Sequence, residues 1–88
     1  MFSMTKNEKY DKSKTLRDKI LYVLSVMEKA SPHEMAAEIM ELDEITTEDG
    51  IEDISIDIEN EIDKMHEEGI VNKIKEHRQK TRYTLNTN

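Results

Sequence analysis

Between Ile58 and Leu85 the chain changes its hydrophobic period within a few residues, and that change restricts the fold more than any other feature. Ile58, Ile62 and Met65 recur at gaps of four and three, the spacing of one face of an α-helix. Gly69 then falls where a helix C-cap needs a residue able to turn left-handed. Directly after it the spacing becomes strand-like: Ile70, Asn72, Ile74 and Glu76 alternate with Val71, Lys73 and Lys75. Arg82-Tyr83-Thr84-Leu85 supplies a return strand, and the polar turn between, His77-Arg78-Gln79-Lys80, contains no glycine. The spacing therefore predicts a helix that runs straight into a basic β-hairpin.

Two helices are expected upstream. Thr15 is an N-cap with Asp18 in the place of a capping-box acid, and Leu16, Ile20, Val23, Leu24 and Met27 form an inward stripe that Leu21 widens. This predicts a helix over 15–27. Ser31-Pro32-His33-Glu34 is a stronger start, because it joins an N-cap, a proline at the first helical position and a capping-box glutamate. Met35, Ala36, Ile39 and Leu42 follow as a narrow apolar stripe, and the two small alanines allow close approach of another helix. Only Glu28, Lys29 and Ala30 lie between these helices, so a tight corner is expected there.

Residues 43–54 (DEITTEDGIEDI) read two ways. Their acids and Gly50 suit a loop, and Ser55 is a good N-cap for a helix over 55–68. Ile51 and Ile54 also continue the spacing of Ile58, which would start one longer helix near Thr47. The loop and shorter helix are the favoured reading. Residues 1–14 are polar and lysine-rich, with Phe2, Met4 and Tyr10 as the only anchors. They read as a frayed arm, or alternatively as a phosphate-binding or dimer-docking extension, ahead of one domain over 15–86.

Eighty-eight residues suffice for one small core but not for a deep active-site cavity. Charged residues make up 38% of the chain and hydrophobic ones 35%, so the core must be lean. There is no cysteine for a disulfide or a thiolate metal site. No apolar run approaches the roughly 18 residues of a membrane span, and a soluble, cytoplasmic protein is the expectation. Net charge is −7 but strongly segregated: +3 over residues 1–27, −14 over 28–68 and +4 over 69–88. Such a chain presents a basic face and an acidic face rather than an acidic shell.

Catalytic chemistry finds no foothold. His33, His66 and His77 lack zinc-site spacing, and a calcium loop with Gly50 at its sixth position would put Ile45 where an aspartate ligand is required. Serines lack a neighbouring base, and no glycine loop cradles phosphate. No enzyme activity, cofactor or metal is expected.

Taken in order, Ser31 to Ile39, Ile58 to Val71 and Tyr83-Thr84-Leu85 resemble the positioning helix, recognition-helix ending and final wing strand of the winged helix-turn-helix superfamily. The resemblance covers residues 15–86, and bacterial and archaeal regulators of the multiple-antibiotic-resistance and PadR types are similar at this level. It implies an α+β fold with a three-helix core followed by a two-stranded antiparallel wing. It also implies double-stranded DNA as partner and a homodimeric transcriptional regulator, with the third helix in the major groove and the wing on the backbone. The positions that would face the groove are Ile56, Asp57, Glu59, Asn60, Asp63 and Lys64. Carboxylates there oppose phosphate, leaving Asn60 to read adenine and Lys64 to reach the backbone. On the wing, Lys73, Lys75, Arg78, Lys80 and Arg82 are the candidate phosphate contacts. The alternative is a winged-helix protein-interaction module whose acidic helices dock a basic partner.

Overall fold

A computed structural model describes residues 10–11, 13–45, 50–75 and 81–86. Its elements, in chain order, are α1 (Leu16–Met27), β1 (Lys29–Ala30), α2 (Pro32–Leu42), α3 (Gly50–Glu67), β2 (Val71–Lys75) and β3 (Thr81–Leu85). The class is α+β: among the described residues, three helices pack on an antiparallel sheet ordered β1-β3-β2.

Both upstream helices begin as their caps dictate. The Asp18 amide donates to Thr15 Oγ1 at 3.2 Å, satisfying one of the orphan N–H groups of α1. At α2 the capping box closes in both directions, with Glu34 N–H donating to Ser31 Oγ at 3.2 Å and Ser31 N–H donating to Glu34 Oε1 at 2.9 Å. The inward stripes then meet. Ile20, Val23 and Leu24 of α1 join Met35, Ala36 and Ile39 of α2 and Ile58, Ile62 and Met65 of α3 in one core, closed on the sheet side by Ala30, Val71 and Tyr83. Of the two alanines in α2 only Ala36 is buried, Ala37 being exposed, while Met40 enters the buried set and Leu42 stays half-buried.

Two sequence expectations need correction. The sheet has three strands rather than two, because residues 29 and 30 pair with β3: Lys29 lies opposite Thr84 and Ala30 opposite Tyr83. The tight corner expected here turns at Glu28, whose φ of 72° is unusual for a residue with a Cβ, and leads into the added strand. Thr84 Oγ1 donates to the Glu28 carbonyl at 2.7 Å and holds that bend. Secondly, the third helix starts at Gly50, not Ser55. Ile51 and Ile54 pack against the core cluster, so the apolar stripe extends the helix past the N-cap signal and leaves Ser55 in its interior. Residues 46–49, which include Thr47, lie outside the described set. Tyr10, one of the anchors expected in residues 1–14, is docked: its ring meets Tyr22 edge-on with centroids 5.3 Å apart, and its hydroxyl donates to Asp43 Oδ1 at 2.6 Å. Residues 1–9 lie outside the described set.

The helix-to-strand switch forms as its glycine requires. Gly69 has φ 82°, its N–H donates to His66 O at 3.1 Å, and Ile70 N–H donates to Met65 O at 2.9 Å. Those two bonds make a Schellman C-cap. The same pair of bonds ends α2, from Glu44 N–H to Glu41 O and from Ile45 N–H to Met40 O, with Glu44 left-handed at φ 63°. Nothing lies within 4 Å of a Cβ built on Gly69, so only backbone strain opposes a side chain there. Gly69→Ala should therefore cost about 1 kcal/mol by urea denaturation. Gly50→Ala, at a helical position where the added Cβ would make ordinary contact with Met40 Cε at 3.8 Å, should be neutral or stabilising by up to about 1 kcal/mol. Equal losses from the two substitutions would contradict this assignment of the turn.

Candidate functional site

The exposed face of α3 is the most distinctive surface of the molecule. With about 100° between successive residues, burial of Ile58, Ile62 and Met65 turns Ile56, Asn60, Asp63 and Glu67 directly outward. Ile56 is 55% exposed, the most exposed large apolar side chain among the described residues. Glu52, Asp53, Asp57, Glu59 and Asp63, all exposed, surround it. The groove-facing positions expected from sequence (Ile56, Asp57, Glu59, Asn60, Asp63 and Lys64) are accordingly all at the surface.

Strand parity places the hairpin cations. Val71 is buried against the core, so Lys73 and Lys75, at steps of two, lie on the same helix-facing side of the sheet. Their cross-strand partners there are Tyr83 and Thr81. Where the hairpin runs past the core, these residues and α3 enclose an open cleft of about 480 Å³, lined by Pro32, Glu59, Asp63, Lys73, Lys75, Thr81 and Tyr83. One wall is carboxylate and the other ammonium. Lys73 Nζ lies 5.9 Å from the centroid of the Tyr83 ring, within cation–π range. Burial pushes the Tyr83 hydroxyl pKa up, and the charges of Asp63 and Glu59 push it further the same way.

The predicted site residues thus separate into groups. Asn60 and Lys64 are exposed on α3, and Lys73 and Lys75 converge on the cleft. Arg82 does not join them. Its guanidinium Nη2 donates to Glu34 Oε2 at 3.2 Å, tying β3 to the capping box of α2. Arg78 and Lys80 lie outside the described residues, as does His77. His33 and His66 are exposed, and no group of three His, Asp or Glu among the described residues is placed to hold a metal. Among those residues no helix is long and apolar enough to cross a membrane.

Sequence reasoning missed the part of Tyr83 in the cleft, because alternation gives the two faces of a strand but not the register that sets Tyr83 opposite Lys73. It also missed the ties that use up cations elsewhere. Arg17 Nε donates to Glu61 at 2.7 Å and its Nη1 and Nη2 donate to Glu68 at 2.7 and 3.2 Å, bracing α1 against the end of α3. Those bonds hold the Glu68 carboxyl below its usual range. Lys19 Nζ donates to Asp43 Oδ2 at 2.8 Å beside the Tyr10 bond, and both side chains of that pair are largely covered. No sequence signal pointed to either, since the partners are 24 or more residues apart.

No protein-family model, curated protein or solved structure matches the chain.

Tyr10 and Tyr83 should both titrate above the usual tyrosine value of about 10. For Tyr10 the first cause is burial, followed by its bond to Asp43 and that residue's charge. A folded-state pKa above the unfolded one means stability that is fully present below about pH 10 and is lost as pH rises beyond it. Ultraviolet titration of Tyr83 in a Glu59→Gln, Asp63→Asn double variant should show its midpoint moved down. An unmoved midpoint would mean that the two carboxylates do not act on the cleft.

Proposed function

We infer that the chain is a winged-helix protein-interaction module, with α3 docking a basic amphipathic segment of another protein. The observation that carries this reading is Ile56, more than half exposed at the centre of a carboxylate-ringed helix face. An apolar anchor within a charged rim is the anatomy of a protein interface, and the rim sets the sign of the partner. The winged-helix assignment is supported by element order, by the capped turn at Gly69 and by the sheet order β1-β3-β2, with the short β1 as an added strand beside the hairpin. The same acids count against insertion of α3 into a major groove, because Asp57, Glu59 and Asp63 would each be brought towards phosphate.

A second reading keeps the DNA-binding regulator, as a homodimer contacting the backbone through its wing. It is favoured by the exposure of Lys73 and Lys75 on the hairpin, beside Arg78 and Lys80 in the turn sequence. Arg82, committed to Glu34, contributes less to that reading than its sequence position suggests.

Binding of a designed amphipathic helix, leucine on one face and arginine on its flanks, separates the two. Saturable binding should weaken about tenfold or more on Ile56→Asp, since an interface anchor is lost and a charge is left at its centre. It should fall with salt. Absence of binding at low salt, or binding indifferent to Ile56, would overturn the docking reading. Low-salt binding to a mixed-sequence duplex that disappears in Lys73→Ala, Lys75→Ala protein would favour the wing instead.

A further inference from the structure

We propose that the helix-facing side of the hairpin is a second interaction surface, suited to duplex nucleic acid, and that Glu59 and Asp63 of the same chain mask it. The step goes beyond the docking face of α3 and deepens the wing reading, on which it rests.

Four features of the cleft support it. Lys73 and Lys75 are both exposed residues. Both nonetheless share the 480 Å³ cleft with two carboxylates projecting from α3. The charges of Asp63 and Glu59 reach Tyr83 at the cleft floor, and Lys73 lies over that same ring, so the opposed groups act on one spot. Finally, the masking is fixed by backbone geometry. Gly69 ties β2 to the end of α3, and the burial of Val71 sets which strand face meets the helix.

A phosphate approaching Lys73 or Lys75 therefore meets the repulsion of Glu59 and Asp63 together with the attraction of the ammoniums. Those carboxylates stand where a polyanion's own charges would sit, which lowers the affinity that the hairpin composition alone implies. Anything that neutralises the pair uncovers the surface.

Fluorescence anisotropy with a labelled mixed-sequence duplex at low salt tests this, with circular dichroism confirming that each variant is folded. Glu59→Gln with Asp63→Asn should tighten binding on the order of tenfold, as two nearby charges are removed. Asp18→Asn with Glu41→Gln changes the net charge equally, but at exposed positions outside the cleft lining, and should tighten it much less. Adding Lys73→Ala and Lys75→Ala to the cleft variant should abolish the gain. If the two double variants gain alike, net charge alone is responsible and the masking is refuted while the wing reading stands. A gain that survives loss of the lysines also refutes it. If no variant binds duplex, masking and the wing reading fall together.

Discussion

How the charged groups of α3 and of the hairpin face one another follows from one turn. Gly69, left-handed at φ 82°, lets the Ile70 amide reach back to Met65 and sends the chain from α3 into β2 without a loop. Because Val71 then seals the core, strand parity is decided at that point. A slip of one residue would put Asn72 and Ile74 over α3 and turn Lys73 and Lys75 to the other face. The acidic helix and basic hairpin are thus not independent surfaces that happen to be neighbours. They are held in a fixed relation by backbone hydrogen bonds and one buried side chain.

Around that joint the core is lean, and ionic ties supplement it at the edges. Arg17 bridges α1 to Glu61 and Glu68 of α3, Arg82 bridges β3 to Glu34, and Lys19 with Tyr10 secures Asp43 at the end of α2. These pairs range from the largely covered Lys19–Asp43 to Arg17–Glu68 at the surface, and surface pairs contribute little to stability. Their larger consequence is for charge display. Three cations are taken into the scaffold, whereas the exposed carboxylates of α3 outnumber its single exposed lysine, Lys64. The segregation visible along the chain becomes, in three dimensions, an acidic helix face flanked on one side by a hairpin whose lysines look back at it.

Much of this was legible locally. The capping box of Ser31 and Glu34, the N-cap at Thr15 and the glycine stop at 69 each involve residues within one turn of each other, where sequence spacing and geometry are nearly the same thing. The stripes of α1 and α3 and the hairpin alternation were equally plain, since burial imposes a period on whatever is buried. The reading failed where local signals competed. Ser55 is a good N-cap, but two further isoleucines extended the buried stripe and moved the helix start to Gly50. β1, at two residues, is too short to carry a period, and Glu28 and Glu44 adopt left-handed conformations without the glycine that would announce them.

By itself, then, the sequence determined that three helical stripes precede a hairpin, where the last helix must stop, and how charge is divided along the chain, because those properties depend on neighbours only a few residues away. Only the tertiary structure decided that Arg82 serves Glu34, that Tyr10 closes on Asp43, and that Lys73 and Lys75 confront Glu59 and Asp63. The reason is physical. A side chain's partner across the fold is set by how helices and strands stack to bury their apolar faces, and the pairing of two residues tens of positions apart leaves no periodic trace in either segment.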